Sequence, residues 1–525
     1  MTFTQWFLFF LAVQVIHFLG TWKLYVKAGR KAWEAAVPVY NAIVLMQIIN
    51  RPKWWVVLLF IPIVNLIMFP VVWVETLRSF GKNSTIDTIL GVVTLGFYVY
   101  YVNYFENVSY IQNRSIKPKT EAGETVSSIL FAVVVATIIH TFFIQPFTIP
   151  TSSLEKTLLV GDFLFVSKVN YGARVPQTAI TFPMVHDTIP VAKVKSYSKF
   201  PQIPEMRFPG FEKPEHNDIM VFNWPVDTIP YFRYQGTERF DKPLDKKSNY
   251  VKRTVGLPGD NLEIRDGVVY INNKVLDLGD RAKIQYSYDI TTNGAPLDVN
   301  FLVKDLNATD GIYQIAPNTY KIIALTADAA ERLKQVSSII DIKRNIDTQP
   351  EPHSFRKDLM AIFPHNKPWN RDNLGPIHIP AKGEVVQINL ETLPLYKGII
   401  TDYEHNTLEV KGTSILINGE PATTYTIKQD YYYMMGDNRH NSEDSRYWGF
   451  VPADHIVGKP VFIWMSMDPN VPFGKLFDKI RWERLFTTVH GTGKPHSFFI
   501  YFVVLLAGWG IYSFVKKRKA KKYNY

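Results

Sequence analysis

The sequence predicts a multi-pass α-helical membrane anchor joined to a mostly-β extracytoplasmic domain that contains a small α+β insertion. Five apolar stretches predict the anchor, because about 20 apolar residues span the hydrocarbon core of a bilayer as a helix. Short alternating apolar runs between turn residues, spread over 146–497, predict the β domain. A single helical pattern among strand-like runs in 280–400 predicts the insertion.

The predicted membrane helices are about 3–20, 54–74, 88–106, 126–145 and 498–515. The first resembles a signal peptide in length, but it lacks a basic start and a small-residue cleavage site, so we interpret it as a retained helix. A further apolar stretch, 37–49, is interrupted by Pro38 and Asn41. We expect this stretch to be re-entrant or interfacial rather than spanning.

Basic residues between the helices predict their orientation, because cytoplasmic connections carry an excess of lysine and arginine. The basic residues follow the first helix, precede the fourth and form the C-terminal tail: Lys23, Lys27, Arg30, Lys31, Arg51, Lys53, Arg114, Lys117, Lys119, Lys516, Lys517, Arg518, Lys519, Lys521 and Lys522. Five alternating helices then place these regions in the cytoplasm. The amino terminus, the 75–87 loop and the region 146–497 lie outside it. A cytosolic 146–497 would require the charge rule to fail at three places.

The charge and the absence of cysteine exclude several classes of function. Much of the net charge of +11 lies beside apolar blocks, where it orients helices and contacts anionic lipid, so we expect no nucleic-acid binding. A chain without cysteine has no thiol nucleophile, disulfide or cysteine-ligated metal. We expect no cofactor and no metal.

The predicted domains follow from these boundaries. They are 1–125 with three helices, the anchoring helix 126–145, the β domain in two parts at 146–279 and 401–497, the insertion 280–400, the helix 498–515 and the basic tail 516–525. Within the insertion, 326–335 has a helical pattern with Thr326 as its N-cap, and nothing there suggests catalysis.

Two stretches of the β domain, 261–273 and 407–419, resemble each other and have the pattern of strand, turn, strand and turn. Each ends in a dipeptide that tolerates positive φ, Asn272-Asn273 or Asn418-Gly419. Either both arise from similar hairpin chemistry, or the later copy resumes a fold that the insertion interrupts.

Three polar blocks in the β domain are candidates for chemistry. The first, 151–158, follows the fourth helix and two prolines; the second is 250–260; the third is 435–452. A loop serine is usually a solvated turn residue, and a strand lysine usually extends its charge to the surface. Taken singly, none of the three blocks predicts an enzyme.

Together and in this order, the three blocks resemble the bacterial type I (leader) signal peptidase family. The family pattern Ile-Pro-Ser-x-Ser-Met corresponds to Ile149-Pro150-Thr-Ser-Ser153-Leu154. The lysine block and the Gly-Asp-Asn-Arg block, with its following Ser-x-Asp-Ser-Arg-Tyr-Trp-Gly, match nearly residue for residue, and the resemblance covers about 126–265 and 405–465.

The resemblance implies a signal-peptidase-like β fold and a specific activity. The chain would be a serine endopeptidase bound to the bacterial inner membrane, with Ser153 as nucleophile and Lys252 as general base. It would remove N-terminal signal peptides from exported preproteins. Its partners would be these preproteins, the lipid bilayer and, through proximity, the export machinery.

The chemistry of such a pair can be argued from the residues themselves. A serine hydroxyl needs a base to become a nucleophile. A lysine serves only when neutral, so its ordinary pKa of about 10.4 must fall by about 3, which corresponds to roughly 4 kcal/mol. Lys252 follows the apolar pair Tyr250-Val251, a setting that suits this fall. Lys156 and Lys168 have more polar settings.

The family pattern implies roles for further residues. Ser442 would orient the lysine amine, Asp444 and Arg446 would form a supporting ion pair, and Arg253 would pair with Asp437. The oxyanion hole would consist of the Ser153 backbone N–H and the Thr151 hydroxyl. The pocket for the small substrate residues would be lined by Ile149, Leu154, Leu158, Tyr250 and Val251.

Four residues depart from the family pattern: Thr151 for serine, Leu154 for methionine, Lys156 for proline and His440 for aspartate. His440 leaves open a second titrating group near the site. Two other functions share part of this pattern. The five helices argue against a soluble repressor autoprotease with a Ser/Lys dyad, and the joint presence of Ser153, Lys252 and Ser442 argues against a degenerate peptidase-like membrane scaffold.

Overall fold

The structure, a computed structural model, describes residues 1–118, 120–229, 238–306, 308, 310–349 and 362–522. Lys119, residues 523–525 and the side chains of 519–522, all part of the predicted basic regions, lie outside the described part. The chain divides into two compact units. The first comprises Met1–Phe143, Ala173–Phe208 and Thr228–Lys247, and the second comprises Ile144–Gly172, Pro209–Asp227 and Ser248–Tyr525.

The first helix is capped by the residue that precedes it. The hydroxyl of Thr2 accepts the backbone N–H of Gln5, and the Gln5 side chain accepts the N–H of Thr2, which fixes the start of the first helix. The helices are α1 (Phe3–Lys27), α2 (Tyr40–Ile48), α3 (Trp55–Leu58), α4 (Val64–Ser79), α5 (Thr85–Val93), α6 (Tyr98–Phe105), α7 (Glu121–Phe142), α8 (Ala327–Lys334), α9 (Leu393–Gly398), α10 (Ser445–Trp448), α11 (Leu476–Lys479) and α12 (Phe499–Lys522).

Within the described residues, α1, α7 and α12 are long and apolar enough to cross a membrane. A fourth crossing is present if α5 and α6 count as one broken span. The sequence prediction of five continuous helices therefore differs from the structure at 54–74 and 88–106. These two stretches are apolar, but neither forms a single helix.

The chain turns inside both stretches. Between α3 and α4 it passes Pro62, which lacks an N–H donor, and Ile63, which has a φ of 71°. Between α5 and α6 it turns at Leu95 and Gly96, both with positive φ, and the two helices are bent by 116°. A continuous apolar composition conceals such turns, because hydropathy does not depend on backbone direction.

A buried carboxylate lies in the first unit at Glu75 on α4. Arg51 Nε is 3.0 Å from it, Arg114 Nη2 is 2.5 Å and Arg78 Nη1 is 3.5 Å. Three of the arginines in the predicted loops are thus ion-paired inside this unit. The pairs of Arg51 and Arg114 bind the segment before α3 and the segment after α6 to α4.

Residues 173–208 form an extended antiparallel ribbon in the first unit, held by isolated pairs such as Arg174↔Arg207 and Thr188↔Lys195. The ribbon contacts the ends of two apolar helices. Trp6 Nε1, at the start of α1, donates to the Gln202 carbonyl at 2.9 Å. The rings of Phe142, at the end of α7, and Phe208 are 6.0 Å apart. The start of α1 and the end of α7 therefore contact the same ribbon.

The second unit is mostly β, as the sequence predicts. Its strands are β1 (Ile144–Thr148), β2 (Asp162–Ser167), β3 (Ile219–Asn223), β4 (Asn249–Gly256), β5 (Asn261–Arg265), β6 (Val268–Ile271), β7 (Lys274–Val275), β8 (Gln285–Thr292), β9 (Ile312–Ala316), β10 (Thr319–Thr326), β11 (Ile339–Arg344), β12 (Leu374–His378), β13 (Val385–Gln387), β14 (Leu408–Lys411), β15 (Ser414–Ile417), β16 (Glu420–Pro421), β17 (Thr424–Thr426), β18 (Tyr431–Met435), β19 (Val451–Pro452), β20 (Ile456–Ser466) and β21 (Thr487–Thr488).

The main sheet among the described residues is antiparallel, with the order β1-β2-β20-β3-β4-β18-β19, and β21 pairs with β20. Helix α7 ends at Phe142, three residues before the predicted end at 145, and Pro146 lies within β1. Proline is tolerated there because β1 is an edge strand, which leaves one side of its backbone unpaired.

The two similar stretches adopt the same structure. β5, β6 and β7 pair as consecutive antiparallel strands, and β14, β15 and β16 do the same. Asn272 Oδ1 accepts the N–H of Asn261, and Asn418 Oδ1 accepts the N–H of Thr407, both at 3.0 Å. Both copies contribute to one hydrophobic core, through Leu262, Ile264, Val269, Ile271, Ile415 and Ile417.

The insertion is a four-stranded sheet of order β11-β8-β10-β9 with α8 packed on it. Thr326 caps α8 by accepting the N–H of Ala329, as expected. The insertion is shorter than the predicted 280–400, because β12 pairs with β5 and β13 with β17. The predicted segment therefore returns to the core of the second unit by Leu374.

Candidate active site

The predicted nucleophile lies on one short turn of 3-10 helix, Ser152–Leu154, with Thr151 as its extended N-cap residue. Leu154 is buried and anchors the turn in a hydrophobic cluster. The carbonyl oxygen of Ser153 accepts the backbone N–H of Asn438 at 3.0 Å. The first and third polar blocks are thereby joined at the nucleophile itself.

Lys252 lies in the middle of β4, between β3 and β18 in the main sheet. Its side chain is buried, with 3 % of the residue exposed. β4 also contacts the turn that carries Ser153. Burial lowers the pKa of Lys252 to about 8, although the carboxylates of Asp444 and Glu443 favour its charged form. The amine therefore loses its proton around pH 8, well below the ordinary range of a lysine, which suits a general base.

Gly436 lies where the three polar blocks meet. Met434 pairs with Thr254 and Met435 with Arg253, so the next residue in this register, Gly436, is level with Lys252. A Cβ at position 436 would lie 2.6 Å from the Ser153 carbonyl oxygen and 2.2 Å from Ser442 Oγ. Only glycine allows this approach, which brings the backbone of Ser153 and the side chain of Ser442 to the end of the Lys252 strand.

Two buried ion pairs hold the third block in shape. Arg446 Nε and Nη2 both bind Asp444 at 2.9 Å, and Asp444 also accepts the N–H of Gly436. Arg253 binds Asp437 through two bonds of 2.7 and 2.6 Å. Burial works against charge on both aspartates, but the guanidinium groups hold the pKa of Asp444 and of Asp437 below the usual range. Both pairs have the partners that the sequence predicted.

The hydrogen bonding of the Ser442 hydroxyl differs from the prediction. It is buried next to Gly436, but within the described part of the chain it makes no hydrogen bond, so the expected bond to Lys252 is not formed. A family pattern predicts a partner, but a hydrogen bond also depends on side-chain orientation, which the pattern does not determine.

The five predicted pocket residues fall into two groups. Ile149, Leu154, Leu158 and Val251 share one hydrophobic cluster beside the nucleophile turn. Leu154 and Leu158 are fully buried within this cluster. Tyr250 instead stacks on Trp224, with ring centroids 5.1 Å apart.

The His440 imidazole makes hydrogen bonds through both of its ring nitrogens. Its Nδ1 accepts the backbone N–H of Ser287 at 3.0 Å, so the proton lies on Nε2, which is 3.0 Å from Asp372. Both ring nitrogens thus bind residues other than Ser153. Lys156, where the family pattern has proline, has a φ of 72°. Proline cannot adopt this φ, because its ring fixes φ near −65°.

Sequence reasoning missed the contribution of the insertion. Gln285, at the start of β8, donates from Nε2 to the carbonyl of Glu155 at 2.6 Å. Asp310 accepts from Asn438 Nδ2 at 2.6 Å. These contacts join residues more than 125 positions apart, and no local pattern could have identified them.

The chain is similar to known protein families. The family model described as "Signal peptidase, peptidase S26" matches residues 122–324 and 374–465, more than half of the chain. The model of a family of unknown function, DUF5684, matches residues 33–113 in the helical first unit.

Several characterised proteins are similar along most of their length. Signal peptidase I of Buchnera aphidicola from Acyrthosiphon pisum is 26% identical over 398 residues, which are 73% of this chain and 91% of the relative. Signal peptidase I of Haemophilus influenzae is 25% identical, covering 72% and 79%. Signal peptidase I of Helicobacter pylori is 25% identical, covering 70% and 93%.

Proposed function

Because this chain belongs to the signal peptidase family, peptidase S26, and is a serine endopeptidase that removes signal peptides, we propose that Ser153 is its nucleophile and Lys252 its general base. The observation that carries the assignment is the burial of Lys252 on a strand that contacts the Ser153 turn. Burial lowers the pKa of the amine towards neutral pH, and the contact brings the turn that carries Ser153 to the strand that carries Lys252.

In the proposed reaction, neutral Lys252 accepts the proton of Ser153 as Oγ attacks the scissile carbonyl carbon. The resulting ammonium donates a proton to the departing amine, which leaves an acyl-enzyme. Lys252 then deprotonates the water that attacks the acyl-enzyme, and it returns this proton to Ser153 Oγ as the ester bond breaks. The Ser153 N–H and the Thr151 hydroxyl are proposed to stabilise the oxyanion, and the exposed position of Thr151 is compatible with this role.

The small residues before the cleavage site are proposed to bind against Ile149, Val251 and Tyr250, above the floor formed by Leu154 and Leu158. Ser442 and the Asp444–Arg446 pair are proposed to position Lys252. Asp444 supports this role, because it lies near enough to act on the charge of Lys252 and also binds the N–H of Gly436.

The test is cleavage of a purified preprotein in detergent by the wild type and by Ser153→Ala. The wild type should release the signal peptide and the variant should not. Ser414→Ala is the matched control, because Ser414 is the exposed first residue of β15. This variant should retain full activity. Full activity of Ser153→Ala would reject the nucleophile.

We also propose that the helices form a multi-pass anchor in the inner membrane, with the second unit's catalytic domain outside the cytoplasm and the C-terminus inside. The contacts of the 173–208 ribbon with the start of α1 and the end of α7 support this. Both helix ends then lie on one side of the membrane, and β1 follows α7 on that side. Substrates would arrive there from the export machinery.

A reporter that is active only outside the cytoplasm tests this topology. Fused at position 300 it should be active, and fused after Tyr525 it should be silent. The reverse pattern would reject the proposed orientation without affecting the assignment of Ser153.

A further inference from the structure

The insertion contributes two polar side chains that reach the nucleophile turn. We propose that Asp310 and Gln285 are positioning residues for the cleavage reaction, because they hold the turn of Ser153 in place through the third polar block. This inference rests on the proposed role of Ser153. It assigns a functional role to the insertion, whose sequence does not predict catalysis.

Asp310 controls the orientation of two asparagine amides. Its Oδ2 accepts from Asn438 Nδ2 at 2.6 Å and from Asn441 Nδ2 at 3.4 Å. Asn438 Nδ2 also donates to the Ser152 carbonyl at 3.2 Å, and Asn441 Nδ2 donates to Ser152 Oγ at 3.1 Å. One carboxylate oxygen thus binds both amides that hold Ser152, the residue before the nucleophile.

A carboxylate is specific for this arrangement. An ionised aspartate only accepts hydrogen bonds, so it selects the NH₂ end of each amide. Asn438 Oδ1 is buried and has no hydrogen-bond partner within the described residues, a cost that the bonds on its Nδ2 side must offset. Without Asp310, the Asn438 amide could rotate by half a turn and bring its oxygen against the Ser152 carbonyl.

Gln285 holds the other side of the turn. It is fully buried, its N–H donates to the Asp437 carbonyl at 2.9 Å, and its carbonyl accepts the N–H of Arg439 at 3.0 Å. Its side chain then reaches the carbonyl of Glu155, two residues after Ser153. Asp310 and Gln285 therefore fix the turn on both sides of the nucleophile.

The expected effect lies in the chemical step, since misplacing a reacting group by about 1 Å can cost about 100-fold. Asp310→Ala should lower kcat by about 10- to 100-fold and change KM by less than about threefold. Asp310→Asn keeps one acceptor oxygen and should recover part of this loss. Gln285→Glu has the same size but cannot donate, and it should also lower kcat.

Asp289→Ala is the matched control. Asp289 lies in the same inserted sheet, is similarly half-buried and accepts from Asn345 Nδ2 at 2.8 Å, but its bond stays within the insertion. It should cleave like the wild type. An equal fall of kcat in Asp289→Ala and Asp310→Ala would mean that the variants only weaken the insertion, and it would overturn the proposal.

Hydrogen exchange gives a readout that needs no catalysis. In Asp310→Ala, the amides of 151–158 should exchange faster than in the wild type, while those of the main sheet should not. Unchanged exchange in the turn, or faster exchange throughout the unit, would overturn the proposal. If Ser153→Ala still cleaved preprotein, the proposed function would fail, but exchange in the turn would still decide whether Asp310 positions it.

Discussion

Arg253 and Asp437 are joined by two parallel hydrogen bonds, 2.7 Å from Nε and 2.6 Å from Nη2, in a site where 5 % and 0 % of the two side chains are exposed. Thr157, four residues after Ser153, donates to the same carboxylate at 2.6 Å. The pair therefore ties the lysine strand, the third block and the end of the nucleophile loop to one charge centre.

Removal of this charge centre should destabilise the protein. Asp437→Asn leaves the Arg253 guanidinium buried without its counter-charge, and we expect a loss of about 3–5 kcal/mol in the free energy of unfolding. The pKa of Asp437 is held below its usual range, so the stabilisation is present above the ordinary carboxyl pKa and is lost as pH falls through the lowered one. Denaturant unfolding in detergent measures both effects. Arg265→Ala, which breaks an exposed pair with Glu263, should change little and is the control.

The rate of cleavage should rise with pH around the pKa of Lys252. The amine is neutral above about 8, so kcat/KM should increase tenfold per pH unit below that value and level off above it. Lys252→Arg should be inactive at every pH, because a guanidinium stays charged. A rate that levels off well below pH 7 would point to a different base.

Lys252→Met separates catalysis from folding. Below about pH 8 the wild type holds a buried ammonium, which burial disfavours, and its stability should rise with pH between the lowered pKa and the ordinary one. The methionine variant should be inactive and more stable than the wild type at pH 7. Lower stability at that pH would contradict the burial argument.

A methyl group at position 436 should disrupt the site. Gly436→Ala would place Cβ 2.6 Å from the Ser153 carbonyl oxygen, which is backbone and cannot rotate away. We expect a loss of about 1–3 kcal/mol of stability and a larger relative loss of kcat. Thermal unfolding and preprotein cleavage measure the two. Gly474→Ala, at a position with no atom within 4 Å, should be neutral.

The pH profile should not depend on His440. The imidazole binds Ser287 and Asp372 rather than Ser153, so His440→Gln should lower stability while the rise of kcat/KM stays centred on the same pH. A steady-state pH profile of the variant is the measurement. Loss or displacement of the rise would assign a titration to His440.

The local part of the site could be predicted from the sequence. Arg253 and Asp437, and likewise Asp444 and Arg446, belong to short blocks whose partners follow from a family pattern, and the structure has both pairs. Hairpin turns at Asn272 and Asn418 were equally predictable, because positive φ at a turn restricts residue type. The hairpin turns depend on a few adjacent residues, whereas the Arg253–Asp437 pair joins positions 184 apart and followed from the family pattern alone.

The remaining features depend on chain direction and on distant contacts. The turn at Ile63 divides an apolar stretch without changing its hydropathy. Asp310 and Asn438 are 128 positions apart, and a loop aspartate has no local signature of such a partner. The close approach of Ser442 to Gly436 likewise depends on packing rather than on residue type.

The inserted sheet leaves and rejoins the chain at neighbouring points. Tyr288 on β8 pairs with Arg344 on β11, so the incoming and outgoing backbones are about 5 Å apart. Such an inserted sheet can be exchanged for another of different size without separating the core strands that lie before and after it in the chain. Exchange would preserve the fold but not the rate, unless the replacement supplied an amide and a carboxylate at the places of Gln285 and Asp310.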